Sequence, residues 1–411
     1  MGRRGGPGIR SRKTLAAGSG LLLSAVLILL GACGSSSPPG ASSGRSRTPA
    51  PGTSTPAAPG AGTPGSAEVT VAFTGDLLLH APVYQQAAVD GRSSGRSYDF
   101  RPMFARVKPL LSAPDLAICH QETPLLPTDA GVSGYPVFHT PPEIAADAKD
   151  AGFDGCSTAS NHSFDGAASG VASTLTALDR VHLAHVGTAR SAQERAKPET
   201  HDVRGVQVAL LDYTYGLNGE RLPSSQPYLV NLINVPAILH DAAAARAAGA
   251  KIVVVQMHWG TENQSAPTAE QRAQARQLLA SPDIDAIVGG HVHVPQPVER
   301  IAGKYVVYGV GNFLSNQSPA CCPPASQDGV IVTLHLTDAH GPWAVSRVSF
   351  TPTYVDRANG YVILPVAGTM ADRSLRPDLR KQLADSWRRT TTTMLSAHPP
   401  GVAPDQKPPG L

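Results

Sequence analysis

The sequence predicts an α/β domain on a mixed sheet, or on two sheets packed as a sandwich, with helices flanking it. Three observations carry that prediction. From Glu68 onward, short apolar runs rich in β-branched residues recur along the chain. Helical patterns separate several of them, the alternation expected of a largely buried sheet. Val206–Leu211, entered through Arg204-Gly205, and the last two runs instead have the texture of antiparallel hairpins, so the pairing is mixed.

Two segments of different texture precede the domain. Arg3, Arg4, Arg10, Arg12 and Lys13 form a basic head, Leu15 to Leu30 carry no charge, and Leu30-Gly31-Ala32-Cys33 closes the run. A basic head, a short apolar middle and small residues at the cut make residues 1–32 a signal peptide. Cys33 directly after small residues is the bacterial lipoprotein pattern, in which its sulfur takes a diacylglycerol. The structural alternative is an uncleaved anchor helix, for which the stretch is short. Either way the chain is expected to be exported; with the lipid it is held to the membrane on its extracellular face. Residues 34–67 are almost entirely Ser, Pro, Gly, Thr and Ala, too poor in large apolar groups to fold, and proline keeps such a tether extended.

Within the domain the strand-like runs are Val69–Phe73, Leu116–Cys119, Val206–Leu211, Ile252–Val255, Ala286–Val288 and Tyr305–Tyr308, then Val330–Leu336 and Val345–Phe350. Helical patterns occupy Glu143–Ala151, Ala167–Leu178, Val235–Ala248 and Thr268–Leu279, the last opening as a capped start. The domain is expected to span 68–357. Residues 358–411 form a C-terminal extension with one outer helix near Arg376–Ala397 and a frayed, Pro-rich tail. The formal charge of +3 includes the five positives of the basic head, so the rest of the chain carries −2. Only 5% of residues are aromatic, and no basic stripe exists. Nucleic acid is therefore excluded as a partner.

Almost every apolar run is followed within a few residues by groups able to bind a metal or a phosphate. Asp76 and His80 follow the first run, His120-Gln121-Glu122 the second, and Asn161-His162 with Asp165 follow Asp154–Ala159. His258 through Glu262, His291-Val292-His293 and Asn312 follow the later ones. Loops beyond the carboxyl ends of strands meet in one crevice, so these groups are expected to build one site. Imidazole, carboxylate and amide oxygen without thiolate suit Mn, Fe or Zn. The number of ligands suits two divalent ions sharing a carboxylate. Asp76, Glu122, Asn161, His258, His291 and His293 are the candidate metal ligands, with Glu122 bridging. His291 and His293 point the same way if their segment is extended. His162 is the candidate catalytic acid, and His80 is a ligand or a second catalytic group facing the substrate. Asp165 and Glu262 are placed to orient imidazoles from behind, and Asn312 either supports the site or ends its strand. The structural alternatives are an Asp76 that caps a turn and a Glu122 that is merely solvated. His120 is evenly balanced, and isolated histidines such as His182, His185, His201 and His240 read as surface or core residues.

These motifs resemble the CapA family, capsule-synthesis proteins linked to poly-γ-glutamate and a branch of the calcineurin-like metallophosphatase superfamily. The resemblance rests on Gly75-Asp76 with His80, Glu122-Thr123-Pro124-Leu125, Ser160-Asn161-His162 with Asp165-Gly166, and His258-Trp259-Gly260-Thr261-Glu262. Gly290-His291-Val292-His293 with Gln296, and Tyr308 through Phe313, complete it in family order over residues 68–320. It implies a metallophosphoesterase-like four-layer α/β/β/α sandwich with mixed sheets, and a role in making or exporting an anionic surface polymer. The implied partners are that polymer or a phosphate ester, the membrane through a lipid anchor, and other capsule-synthesis membrane proteins. The chain departs from ordinary metallophosphatases, which open with Asp-x-His, and from CapA relatives, which show Asn-Leu-Glu where this chain has His120-Gln121-Glu122.

Two functions follow: a metal-dependent phosphoesterase at the cell surface, or a non-catalytic component that holds polymer carboxylates on its metal. A wall-associated domain with structural histidines is the blandest reading. Cys119 and Cys156 each end a strand-like run, which leaves a disulfide between sheet neighbours and two buried thiols both open. Cys321-Cys322 lies in a Pro-rich loop with no assigned role.

Overall fold

The computed structural model describes residues 68–409; the expected signal peptide, Cys33 and the expected linker lie outside the described residues. The chain first lays down β1 (Val69–Leu77), β2 (Leu116–Gln121), β3 (Gly155–Ser157) and β4 (Ala184–Val186), all parallel neighbours. It then crosses to a second sheet of β5 (Glu199–Val203), β6 (Val206–Thr214), β7 (Ile252–His258), β8 (Ala286–Gly290), β9 (Val298–Ile301) and β10 (Lys304–Val307). Finally β11 (Asn312–Leu314), β12 (Asp328–Thr337), β13 (Ala344–Asp356), β14 (Val362–Pro365) and β15 (Val402–Pro404) return to the first sheet. The strand orders are β14-β13-β12-β1-β2-β3-β4, with β11 on β1 and β15 on β13, and β5-β6-β7-β8-β10-β9. Both sheets are mixed: β12 is antiparallel to β1, and β5 is antiparallel to β6.

Period-two patterning on strands that are apolar on both faces explains the layers. Val69, Val71 and Phe73 of β1 face Val208, Leu210, Ile252 and Val254 across a core between the sheets. The alternate residues point outward. Ala72 and Ala117 meet helices 81–94, 143–151 and 167–180 through Val83, Ile144 and Leu175. Ala209, Leu211, Val253 and Val255 meet helices 235–247 and 269–279 through Ile238, Ala242 and Leu278. The result is the expected four-layer α/β/β/α sandwich. The cap anticipated at Thr268 is a capping box: its side chain accepts from Gln271 N while the Gln271 side chain accepts from Thr268 N.

Two expectations are corrected. The boundary at 357 divides a single unit, and the Pro-rich end expected to fray is tied to the sheet through Val402–Pro404. β14 pairs with β13 in antiparallel register, and β15 lies parallel against Val348–Phe350. Without them the long β13 would present an open edge, a row of unpaired backbone groups. The outer helix runs Pro377–Met394, seats Leu379, Leu383 and Trp387 on Tyr354 and Leu364, and sends Arg389 to the buried Asp328 through two bonds of 3.0 and 2.9 Å. Second, several strands outlast their apolar runs, so Asp76, His120 and His258 stand inside strand ends rather than in the loops beyond. Cys119 and Cys156 face each other on β2 and β3 and form a disulfide with a Cα separation of 4.4 Å; Cys321 and Cys322 are free.

Candidate metal centre

At the carboxyl ends of β1, β2, β7 and β8 the apolar core between the sheets gives way to a buried polar cluster. Asp76 and Glu122 are fully buried, and Asn161, His258, His291 and His293 are almost so. Backbone packing forces this convergence. A Cβ on Gly75 would lie 1.9 Å from the Gly311 carbonyl oxygen, so only glycine lets β1 close on the segment leading to Asn312. A Cβ on Gly290 would approach Asp76 Oδ1 to 3.0 Å.

The His291-Val292-His293 segment is not extended. His291 and His293 have φ of 83° and 58°, in the left-handed region that non-glycine residues enter at a cost. The turn still brings the two rings together, with centroids 5.9 Å apart. Strain of this kind persists where the surroundings over-determine it, commonly at functional sites.

His293 Nδ1 donates to Asp76 Oδ2 at 3.0 Å and to Asn312 Oδ1 at 3.1 Å. Asn312 is held for that task by its own Nδ2, which donates to Ser326 O and Gln317 Oε1. His293 Nε2 lies 3.9 Å from Glu122 Oε1, and His258 Nε2 lies 3.7 Å from the same oxygen and 2.7 Å from Asn161 Oδ1. Glu122 thus sits between two imidazoles, as a bridging carboxylate would. Glu262, His291 and His293 form a further trio whose ligand atoms lie within 4.8 Å of one another, as do Asp76, Glu122 and His293.

His162 and Asp165 stand beside this cluster. Asp165 Oδ2 accepts from His162 Nδ1 at 2.8 Å, which fixes the ring and leaves Nε2 as the nitrogen able to pass a proton. The edge of Phe138 shields the ring at 4.7 Å. His80 sits at the rim, its ring 5.5 Å from Phe138 and its Nδ1 3.1 Å from Leu78 O. Burial pushes its pKa down to about 4, so it is neutral at physiological pH. None of the candidate metal-binding trios contains His80.

The electrostatics of the cluster suit a cation. Burial opposes charge on His258, His291 and His120 and moves each pKa down, to about 3 for His291. These neutral imidazoles keep a lone pair available. Burial raises Glu122 well above the usual carboxylate range. Burial opposes charge on Asp76 most strongly, but the His293 hydrogen bond and the charges of His293, His120 and His291 together outweigh it, and its pKa is lowered. His293 is the exception among the imidazoles: burial disfavours its charge, yet Glu122 and Asp76 outweigh that and hold its pKa at about 9. Asp76 Oδ1, both Glu122 oxygens, His120 Nε2, His258 Nδ1 and His291 Nδ1 are buried without a hydrogen-bond partner. Orphaned buried groups are costly, and six around one point fit a divalent ion.

His120, evenly balanced in the sequence, belongs to the site, and so do Asn218 and Asp212, which sequence reasoning did not place there. His120, Asp76 and His258 offer ligand atoms within 4.8 Å of one another, and the His120 ring stacks on His258 at 4.8 Å. The available signal was His120-x-Glu122, the same one-residue spacing that marks His291 and His293. Asn218 accepts from Asn161 Nδ2 at 3.0 Å and meets His162 Nδ1 at 3.3 Å from a loop that carries no motif. Asp212 accepts from Thr158 N and Ala159 N, pinning the loop that leads to Asn161.

Residues 70–317 match the family model described as bacterial capsule synthesis protein PGA_cap. The chain belongs to that family. Within it, the chain is 28% identical over 271 residues to the PGA biosynthesis protein CapA of Bacillus subtilis, covering 65% of this chain and 68% of that one. It is 30% identical over 194 residues to the capsule biosynthesis protein CapA of Bacillus anthracis, covering 46% of each. Solved structures with similar architecture include a putative 5'-nucleotidase from Staphylococcus aureus, with 18% identity, a TM-score of 0.45 and coverage of 78% of this chain and 58% of that one. Another is the calcineurin-like phosphoesterase YfkN from Bacillus subtilis, with 16% identity, a TM-score of 0.42 and coverage of 80% and 98%.

Proposed function

We propose that this PGA_cap family member is an exported lipoprotein, anchored through Cys33 on the extracellular face of the membrane. There it carries out metal-dependent phosphoester chemistry in the synthesis or export of a capsule polymer. The observation that carries the catalytic part is the ring of unpartnered buried ligand atoms with the His162–Asp165 pair at its edge. Asp76, Glu122, Asn161, His258, His291 and His293 would hold two ions. When bound, such ions supply Lewis-acid polarisation of an ester oxygen and neutralise charge developing at phosphorus. The chain's own groups do the rest. Asp165 keeps the His162 proton on Nδ1, so Nε2 presents its proton to a leaving oxygen only after taking one up. Phe138 packs its edge against the ring and restricts it to that orientation, and Glu262 stands beside His291 and His293 to orient them.

The test is metal content of the purified protein beside hydrolysis of a generic phosphodiester. Two ions per chain and turnover lost on chelation are expected, with both reduced in His291→Ala and Asp76→Ala. Unchanged activity in those variants refutes the assignment.

A second reading has the centre hold polymer carboxylates without turnover. Its non-catalytic part is supported by the word "accessory" in the name of a Mycobacterium tuberculosis relative, "probable polyglutamine synthesis accessory protein", 28% identical over 171 residues. It predicts binding of poly-γ-glutamate that chelation abolishes; binding that survives chelation discards it.

A further inference from the structure

Beside the metal centre lies a cavity of about 210 Å³ that its chemistry does not use. Tyr215 is the wall it shares with the centre. That ring is 49% exposed and packs, tilted by 43°, against His291 with centroids 4.5 Å apart. Its backbone is tied down because Tyr215 N donates to His258 O at 3.0 Å, directly before the turn at Trp259 and Gly260. The rest of the lining includes Trp259, Thr261, Thr268, Glu270 and Gln274.

Three features define what fits there. Ligand pockets for drug-sized molecules run to about 300–1,000 Å³, so this one takes a single ring rather than a folded chain. None of its lining residues is Lys or Arg, while Glu270 and the neighbouring Glu262 are acidic, so a carboxylate or phosphate would meet like charge. Its polar groups are of mixed type: among the described residues the Tyr215 and Thr261 hydroxyls have no hydrogen-bond partner, and Gln274 spends its amide on Glu270 at 3.1 Å with its carbonyl left open. A hydroxyl both donates and accepts, and the exposed face of an aromatic ring offers a flat apolar support.

We propose that this cavity is a subsite for one electroneutral, hydroxyl-bearing ring, a sugar residue, attached to the group that is processed at the metal centre. This rests on the phosphoester reading of the centre and narrows it: the ester acted on is a sugar phosphate, and the anionic part of any polymer lies on the opposite side. Tyr215 is its platform, and Thr261 and Gln274 set its hydrogen bonds.

Saturation-transfer NMR on the purified full chain tests it, with triacetylchitotriose and maltotriose as neutral probes and tri-γ-glutamate as the anionic one, beside metal analysis of the same samples. At least one neutral probe is expected to bind, with affinity falling about tenfold in Tyr215→Ala and less in Gln274→Ala, as loss of one aromatic contact implies. Neutral probes that do not bind, or bind equally well to Tyr215→Ala, overturn the proposal, as does a γ-glutamate oligomer whose binding depends on Tyr215. Metal content separates the two ideas. A protein with its ions that ignores both sugars loses the subsite and keeps the centre, whereas a metal-free protein that still binds sugar through Tyr215 keeps the subsite and loses the centre.

Discussion

Metal binding at this centre should release protons, and the pH range follows from the buried trio of Asp76, Glu122 and His293. Without an ion, His293 carries the positive charge that the two carboxyls demand, and its pKa stands at about 9. The Glu122 carboxyl, moved upward by burial, shares that proton balance, so the trio titrates as a unit. Asp76 is already ionised, and His258 and His291 are already neutral, so none of these three contributes at pH 7. An ion that takes the place of the His293 charge must therefore displace at least one proton per chain. Between pH 7 and about 9, apparent affinity should rise roughly tenfold per unit, or ~2.7 kcal/mol over the two units. The metal-free protein should move the opposite way. A histidine raised from about 6.5 in the unfolded chain stabilises the fold fully below pH 6.5 and loses that contribution as pH climbs through 9. Calorimetric titration with Mn or Zn in buffers of different ionisation enthalpy counts the protons, and chelator competition from pH 6.5 to 9.5 gives the slope. Affinity independent of pH over that range, with no proton released, would refute the reasoning.

Replacing His162 with Asn should lower phosphodiester turnover by about 10²–10⁴-fold, the usual worth of a general acid, while atomic absorption finds the metal retained. Arg389→Met strands the fully buried Asp328 and should cost about 3–5 kcal/mol in urea unfolding; loss below 1 kcal/mol would show that the C-terminal helix is not held through this pair. Cys119 and Cys156 close a loop with a sequence separation of 37, so the double Ser variant should be less stable by about 3–4 kcal/mol on the chain-entropy model. The fold should otherwise be retained, as read by circular dichroism.

Much of the architecture was legible because both sheets are covered on both faces. A strand buried on two sides must be apolar at every position, and β7 announces itself as Ile252–Val255 without any neighbour in view. Layer order was not legible in the residues alone, since nothing local distinguishes the inward Val254 from the outward Val255; that came from the resemblance. The C-terminal strands were invisible for a different reason. β14 and β15 are three or four residues long and owe their conformation to the open edge of β13, a long-range cause with no local signature. The site divides along the same line. Residues that follow apolar runs could be placed by topology, whereas Asn218 comes from the loop after β6, where Gly216 and Gly219 bracket a stretch without motif or periodicity.

The position of the polar cluster has a physical logic beyond its chemistry. Between the two sheets the packing is apolar along most of its length, from Val69 and Val332 to Val254 and Val307. At one end Thr74, Asp76, His120, Asp212, Gln256 and His258 replace it around a cavity of about 20 Å³, each with a buried atom that no protein group satisfies. A purely structural sandwich would gain stability by filling that end with aliphatic side chains, because an unsatisfied buried polar group costs about 1–3 kcal/mol. The same sheets that keep the cluster dry also keep it rigid: β1, β2, β7 and β8 are each paired on both sides. Groups held in place before a cation arrives need no reorganisation to bind it. The instability of the empty cluster and its affinity for metal are therefore one quantity seen from two sides, and substitutions that relieve the first, such as Glu122→Gln, should weaken the second.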